Sequence, residues 1–303
     1  MRFELQVLGA NSALPMPGRF PSSFVLNHNE QLNLIDCGEG SQIKMSEFRV
    51  KRSKIDRIFI SHLHGDHIFG LPGVLHSFNL NARTRPLTLY GPPGIGRFVN
   101  EVMIATGGEL NYPLSIEETR MDTYNHLVSL EHLDVYTFPL KHRVPTVAFK
   151  FVEKPGKFNI RKEAIEEFQL TIDEIKTIKE GKGIERKGMM LSHKSLVHPR
   201  NEKRTFVYCS DTCFDTSIVA YIRHADLLYH EATYMHEMAD KAKSRLHSTA
   251  HEAALIAKKS DTKKLLIGHY SSRYKDLEPM LEEAKNVFPN TLIAREGEII
   301  PIG

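Results

Sequence analysis

Tryptophan is absent from this chain and cysteine nearly so, with Cys37, Cys209 and Cys213 the only thiols in 303 residues. An odd and small number of thiols excludes the disulfide framework of a small secreted domain. Cys209 and Cys213 are three residues apart, not the two of a redox pair, so they read as buried reduced thiols. No stretch approaches the roughly 18 consecutive apolar residues that a membrane helix needs. Neither charge sign dominates: 40 basic against 37 acidic residues leave +3 and a pI near 8.6. That is below the value of about 9 expected of a dedicated nucleic-acid-binding domain, so a polyanionic substrate is admitted but not argued for. There is no low-complexity segment, and no repeat that would indicate a solenoid. The N-terminal residues alternate like a strand and carry no basic segment leading into an apolar run, so a cytoplasmic location is expected.

At roughly 150 residues per domain, the length allows two ordinary domains or one large one. Strands are expected at Phe3–Leu8, Ser23–Leu26, Leu32–Asp36 and Ile55–Ile60, where alternating or β-branched runs end in turn residues. A one-faced apolar repeat from Ile95 to Met103, closed by Gly107 and Gly108, predicts a helix. Further strands are expected at Leu133–Leu140, Val147–Val152, Thr205–Cys209, Ala225–Tyr229, Lys264–Ile267 and Glu298–Ile302. A capping box of Thr249 and Glu252 opens one late helix, and another runs from about Leu277 to Val287. Between Glu153 and Met190 the character changes, with nine basic and eight acidic residues and few large apolar ones. This mixture predicts a solvated helical excursion, an arm at about 153–190 inserted into a single α/β domain that spans the chain.

Histidine is what the sequence has in surplus, 16 in all. Directly after the Ile55–Ile60 strand come Ser61, His62, Leu63, His64, Gly65, Asp66 and His67. Three imidazoles and a carboxylate within six residues form a ligand set for zinc, or for manganese or iron at similar sites. A tight loop, relaxed at Gly65, would converge them on a point where a helix would spread them. The pattern recurs more weakly at later strand ends, with His142, Asp211 and His269. Each of these alone also fits a hydrogen-bonded turn residue or a cap. Together they provide ligands for two metals around one bridging carboxylate. The glycine-rich Gly91–Gly96 stretch is a turn and helix start, not a nucleotide fingerprint.

The Ser61–His67 segment resembles the His-x-His-x-Asp-His signature of the metallo-β-lactamase superfamily. The blocks around it are similar to ribonuclease Z in order and spacing: Leu34–Gln42, Ile68–Gly73, His142–Pro145, Ser210–Thr212, His230–Thr233, His247–Thr249 and His269–Tyr274. The resemblance implies a four-layer αββα metallo-β-lactamase sandwich with an inserted protruding arm. It implies two Zn2+ per subunit, with Mn2+ or Fe2+ as substitutes. His62, His64 and His142 would hold one ion, Asp66, His67 and His269 the other, and Asp211 would bridge them. It assigns catalysis to Asp66, to His247 as general acid and to Glu231 as its orienting partner. The implied activity is endonucleolytic removal of 3′ extensions from precursor tRNA by a cytoplasmic homodimer, leaving a 3′-hydroxyl on the tRNA and a 5′-phosphate on the trailer. Lys154, Lys157, Arg161 and Lys162 of the arm would contact phosphates. Two departures stand out. The family's Pro-x-Lys-x-Arg-Asn loop, which senses the tRNA 3′ end, is here Pro15–Phe20, keeping Pro15 and Arg19 only, and Phe168–Ile175 lacks the Gly-Pro tip of bacterial arms. A dimetal phosphodiesterase for small phosphodiesters or cyclic nucleotides is the alternative on the same residues. A non-enzymatic RNA- or metal-binding module is the third reading.

Overall fold

The computed structural model describes residues 2–156, 158–186, 188–198 and 202–303. Lys157, one of the four arm cations expected from the sequence, lies outside them. The chain contributes β1 (Phe3–Gly9), β2 (Ser23–His28), β3 (Gln31–Cys37), β4 (Ile55–Phe59), β5 (Leu87–Gly91), β6 (Leu114–Glu118), β7 (Asn125–Ser129), β8 (Leu133–Leu140) and β9 (Thr146–Glu153). After β10 (Ile184–Arg186) and β11 (Met189–Leu191) follow β12 (Thr205–Cys209), β13 (Leu227–Glu231), β14 (Leu265–Gly268), β15 (Thr291–Ile293) and β16 (Ile299–Pro301). Two seven-stranded sheets result, ordered β16-β1-β2-β3-β4-β5-β6 and β15-β14-β13-β12-β9-β8-β7.

The sheets meet through aromatic side chains. Phe24 of β2 packs edge-on against Tyr208 and Tyr229 of β12 and β13, with ring centroids 5.4 and 4.7 Å apart. Phe59 of β4 meets Phe149 and Phe151 of β9, each at 5.3 Å. Helices cover the outer faces, because strands buried on both sides need apolar cover on each. Met45, Leu71, Val74, Phe78, Ile95 and Val99 come from the helices Ser41–Glu47, Leu71–Leu80 and Ile95–Thr106, and they join the core of the first sheet. The helix Ala250–Lys259 packs on β13 and β14 and on the helix Glu278–Lys285. The layers are therefore αββα. Gly107 ends the Ile95–Thr106 helix in the left-handed region (φ 60°), the conformation that favours glycine there.

Topology makes the site possible. Strands β3 to β6 run parallel, as do β12 to β15. Parallel strands present their carboxyl ends on one side, where ligand sites of layered sheets gather. β3 carries a bulge: Ser23 pairs with Cys37 and Phe24 with Ile35, leaving Asp36 as the extra residue at φ 51°. A bulge re-aims the side chain it inserts.

The described residues of Leu130–Leu133 and Val152–Lys203 form a compact unit of their own. Its small core is Ala164, Leu170, Ile178, Ile184, Leu196 and Val197. The helix Ile172–Lys179 opens on a capping box of Thr171 and Glu174. The structure adds what the charged composition did not indicate, a hairpin of β10 and β11. Arg186 of the hairpin binds Glu174 through two nitrogens at 2.8 Å, tying hairpin to helix. Arg186, with Thr171, holds the Glu174 carboxyl down to about 2.

Two predictions follow from this packing. Phe59→Ala removes a ring shared between the sheets and is expected to cost about 3–5 kcal/mol in urea unfolding. The Glu174–Arg186 brace, resting on a carboxyl lowered in the folded state, holds above the ordinary carboxylate value of 4.5 and is lost as pH falls toward about 2. Amide protection of Ile172–Lys179 should fall through that window, and Glu174→Gln should abolish the dependence.

Candidate active site

β4 ends at Phe59, and the chain then delivers Ser61, His62, His64, Asp66 and His67 to the carboxyl edge. The expected tight loop is in part a single helical turn, Gly65–Ile68, carrying Asp66 and His67. Gly65 is not needed there for a left-handed backbone. A Cβ there would meet the exposed Phe69 ring, which would have to shift. His142 follows β8, Asp211 follows β12 and His269 follows β14, so loops of both sheets converge.

Their arrangement centres on Asp211, which is buried. Its Oδ2 faces His62 Nε2 at 3.6 Å and His142 Nε2 at 3.7 Å, while His64 Nδ1 lies 3.1 and 3.2 Å from those two nitrogens. Its Oδ1 faces His269 Nε2 at 3.2 Å and His67 Nε2 at 3.4 Å, and Asp66 Oδ2 lies 3.3 Å from His269. The two carboxylate oxygens thus address two separate groups of ligand atoms. Asp211 Oδ1 is buried and has no hydrogen-bond partner.

The outer nitrogens of four imidazoles are occupied. His62 Nδ1 donates to the Ser61 hydroxyl (3.0 Å), His67 Nδ1 to Asp36 (2.7 Å), His142 Nδ1 to the Leu246 carbonyl (2.9 Å) and His269 Nδ1 to the Thr233 hydroxyl (2.9 Å). In the neutral form of each ring, with its one N–H so placed, Nε2 turns a lone pair inward. Burial, and then the neighbouring His67, lowers the His62 pKa well below the usual imidazole range. Burial opposes charge on His67 too, yet Asp211, Asp66 and Asp36 raise it well above that range. Lone pairs facing one another beside carboxylates favour added positive charge. The donor set therefore fits divalent cations.

Beside this cluster, Glu231 at the end of β13 accepts from the Thr212 amide (3.0 Å), the Thr233 amide (3.1 Å) and the Thr233 hydroxyl (2.7 Å). His247 Nδ1 donates to the same carboxylate at 2.8 Å. Burial disfavours the His247 imidazolium, but Glu231 more than offsets it and raises the pKa to about 9. His247 precedes the Thr249 N-cap by two residues, and with His64, Asp66 and His269 it lines a cleft of about 600 Å3. All nine residues singled out in the sequence are thus brought to this rim. Of the arm cations, Lys154 is engaged with the Leu130 carbonyl at 2.5 Å, whereas Lys162 is exposed.

Sequence reasoning missed Asp36. Its carboxylate accepts from the Ser61 amide (2.7 Å) and hydroxyl (2.8 Å), from His67 Nδ1 (2.7 Å) and from the Tyr208 hydroxyl (2.7 Å). The available signal was one acid at the end of the apolar run Leu32–Ile35. Thr233, which joins His269 to Glu231, and Asp36 both lie within the blocks similar to ribonuclease Z, where neither is assigned a role.

Comparison with known proteins agrees with this geometry. The family model described as anti-Pycsar protein Apyc1 matches residues 3–288. Ribonuclease Z of Porphyromonas gingivalis strain W83 is 42% identical over 299 residues, covering 97% of each chain. The crystal structure of the short form of human tRNase Z superposes with a TM-score of 0.74 at 28% identity, covering 99% of each chain. The metallo-β-lactamase fold protein YhfI from Bacillus subtilis shares the fold with a TM-score of 0.71 at 18% identity, over 99% of this chain and 100% of that one.

Asp36→Ala would leave Ser61, His67 and Tyr208 without their acceptor in the interior. A loss of about 3–5 kcal/mol in urea unfolding is expected, together with metal affinity weakened roughly 10–100-fold. Wild-type stability and metal content in this variant would refute the anchoring role.

Proposed function

The chain belongs to the ribonuclease Z family, and over residues 3–288 to the family described as anti-Pycsar protein Apyc1; from this premise we propose that it removes 3′ extensions from precursor tRNA as a metal-dependent endoribonuclease. The observation that carries the proposal is the two-sided His/Asp cluster sharing one cleft with an imidazole whose pKa is raised by Glu231. Binding of divalent metal follows from the family and its fold. In this reading His62, His64 and His142 would hold one zinc ion, and Asp66, His67 and His269 a second, with Asp211 shared and manganese or iron as substitutes. Such ions supply Lewis acidity at a phosphoryl oxygen and a lowered pKa for water.

The protein groups do the rest. Asp66, oriented by the Ala13 amide at 2.7 Å, takes a proton from the attacking water. The water oxygen bonds to phosphorus as the bond to the ribose 3′ oxygen breaks. His247 gives its cleft-side proton to that departing oxygen, and Glu231 keeps the other ring nitrogen protonated and stabilises the imidazolium. The products are a tRNA 3′-hydroxyl and a trailer 5′-phosphate. The single catalytic domain carries residues 153–190 as its tRNA-holding arm, within a cytoplasmic homodimer. Of the four arm cations named from the sequence, Arg161 and the exposed Lys162 are the described ones left for phosphates. The match to a family not named as a ribonuclease keeps small phosphodiesters or cyclic nucleotides as the second reading.

Pure protein incubated with a 3′-extended precursor tRNA should cut it, and chelator should stop the reaction. An intact precursor beside brisk turnover of a small phosphodiester would overturn the proposal. Asp211→Ala should lose metal and activity together. His247→Ala should keep its metal and lose about 10²–10⁴-fold in rate, and loss of metal in that variant would make His247 structural.

A further inference from the structure

The cleft lining combines two unlike kinds of side chain. Arg143, Lys241 and Arg245 bring three cations to it. Leu14 and Phe69 are large apolar side chains of the same lining left 63% and 64% exposed, and Pro15 and Pro21 line it too. Among the described residues, Glu39 is the one acid outside the metal-type cluster that lines this cleft. Two such side chains facing water in a 600 Å3 cleft are unexplained by packing. Their positions are set by the reacting groups. Phe69 closes the helical turn that carries Asp66, its amide bonded to the Gly65 carbonyl at 2.9 Å, and its ring lies against Gly65. Residues three apart on such a turn share a face. Leu14 follows Ala13, whose amide holds Asp66.

We propose that Phe69, with Leu14 in the same cleft, is a base-stacking platform for an unpaired nucleotide flanking the scissile phosphate. The inference rests on the endoribonuclease reading and names how its substrate is positioned. Phosphates need cations and bases need an apolar face, and single-stranded nucleic acid offers both on opposite sides of its backbone. A strand with its phosphates toward Arg143, Lys241 and Arg245 turns its bases toward Phe69. An aromatic face accepts any base, so this subsite fixes position without reading sequence. Phe69 is a binding residue here and takes no part in proton transfer.

The test crosses a protein change with a substrate change. Wild type, Phe69→Ala and Phe69→Leu are compared on an intact 3′-extended precursor tRNA and on precursors abasic at either nucleotide flanking the cut. Metal content is measured for each protein. With wild type, one of the two abasic sites should lower kcat/KM by about 5–150-fold. Phe69→Ala should lower kcat/KM on the intact precursor to a similar degree and be almost insensitive to that abasic site. Phe69→Leu, which keeps apolar bulk without the ring, should fall between. Equal abasic losses in wild type and both variants would overturn the platform, because a structural role for Phe69 lowers all substrates alike. Failure of wild type to cut the intact precursor would instead bring down the endoribonuclease reading itself, and this inference with it.

Discussion

Everything at the rim depends on the carboxylate of Asp36, buried at the join of the two sheets. It accepts hydrogen bonds from Ser61 and His67, which follow β4 of the first sheet, and from Tyr208, which belongs to β12 of the second. A carboxylate so deep is tolerable only when it is hydrogen-bonded, and four donors meet this one. Meeting them fixes three things at once. It sets the start of the histidine segment, the tautomer of His67 and the approach of one sheet to the other. The β3 bulge makes this possible, since without the extra residue the side chain at position 36 would not be turned inward as it is.

Around that anchor the site is built from strain and satisfaction in balance. Asp36 and His269 both occupy the left-handed region, at φ 51° and 63°, where a non-glycine residue costs on the order of 1 kcal/mol. Each is held by side-chain hydrogen bonds, Asp36 by Ser61, His67 and Tyr208 and His269 by Thr233. The near-neutral overall charge says nothing about this place. Carboxylates and imidazoles gather in the same cleft that two arginines and a lysine line.

Much of this was legible in the sequence. Strands β8 and β12 fall at their expected limits, and the Thr249 capping box is formed. Periodicity and caps are local, and local signals survive in a linear reading. Four ligand-type residues in six positions are equally local, so His62, His64, Asp66 and His67 stood out. Asp36, Thr233 and Phe69 did not, because each acquires its role from partners distant along the chain. The hairpin β10–β11 was hidden for a related reason: a charged stretch built on a core as small as six residues reads as solvated helix. The helical turn at Gly65–Ile68 differs from the expected tight loop because it is only one turn long, too short to spread Asp66 and His67 around an axis.

The Thr233 hydroxyl has only one hydrogen. It gives that hydrogen to Glu231 and, having given it, can only receive from His269. The link between the His/Asp cluster and the Glu231–His247 pair therefore has a direction, and its polarity cannot be reversed without breaking one of the two bonds. Whatever tightens the hold on His269 is felt at Glu231, and whatever loads Glu231 is felt at His269. For anyone seeking to redesign this cleft, the two groups cannot be changed independently.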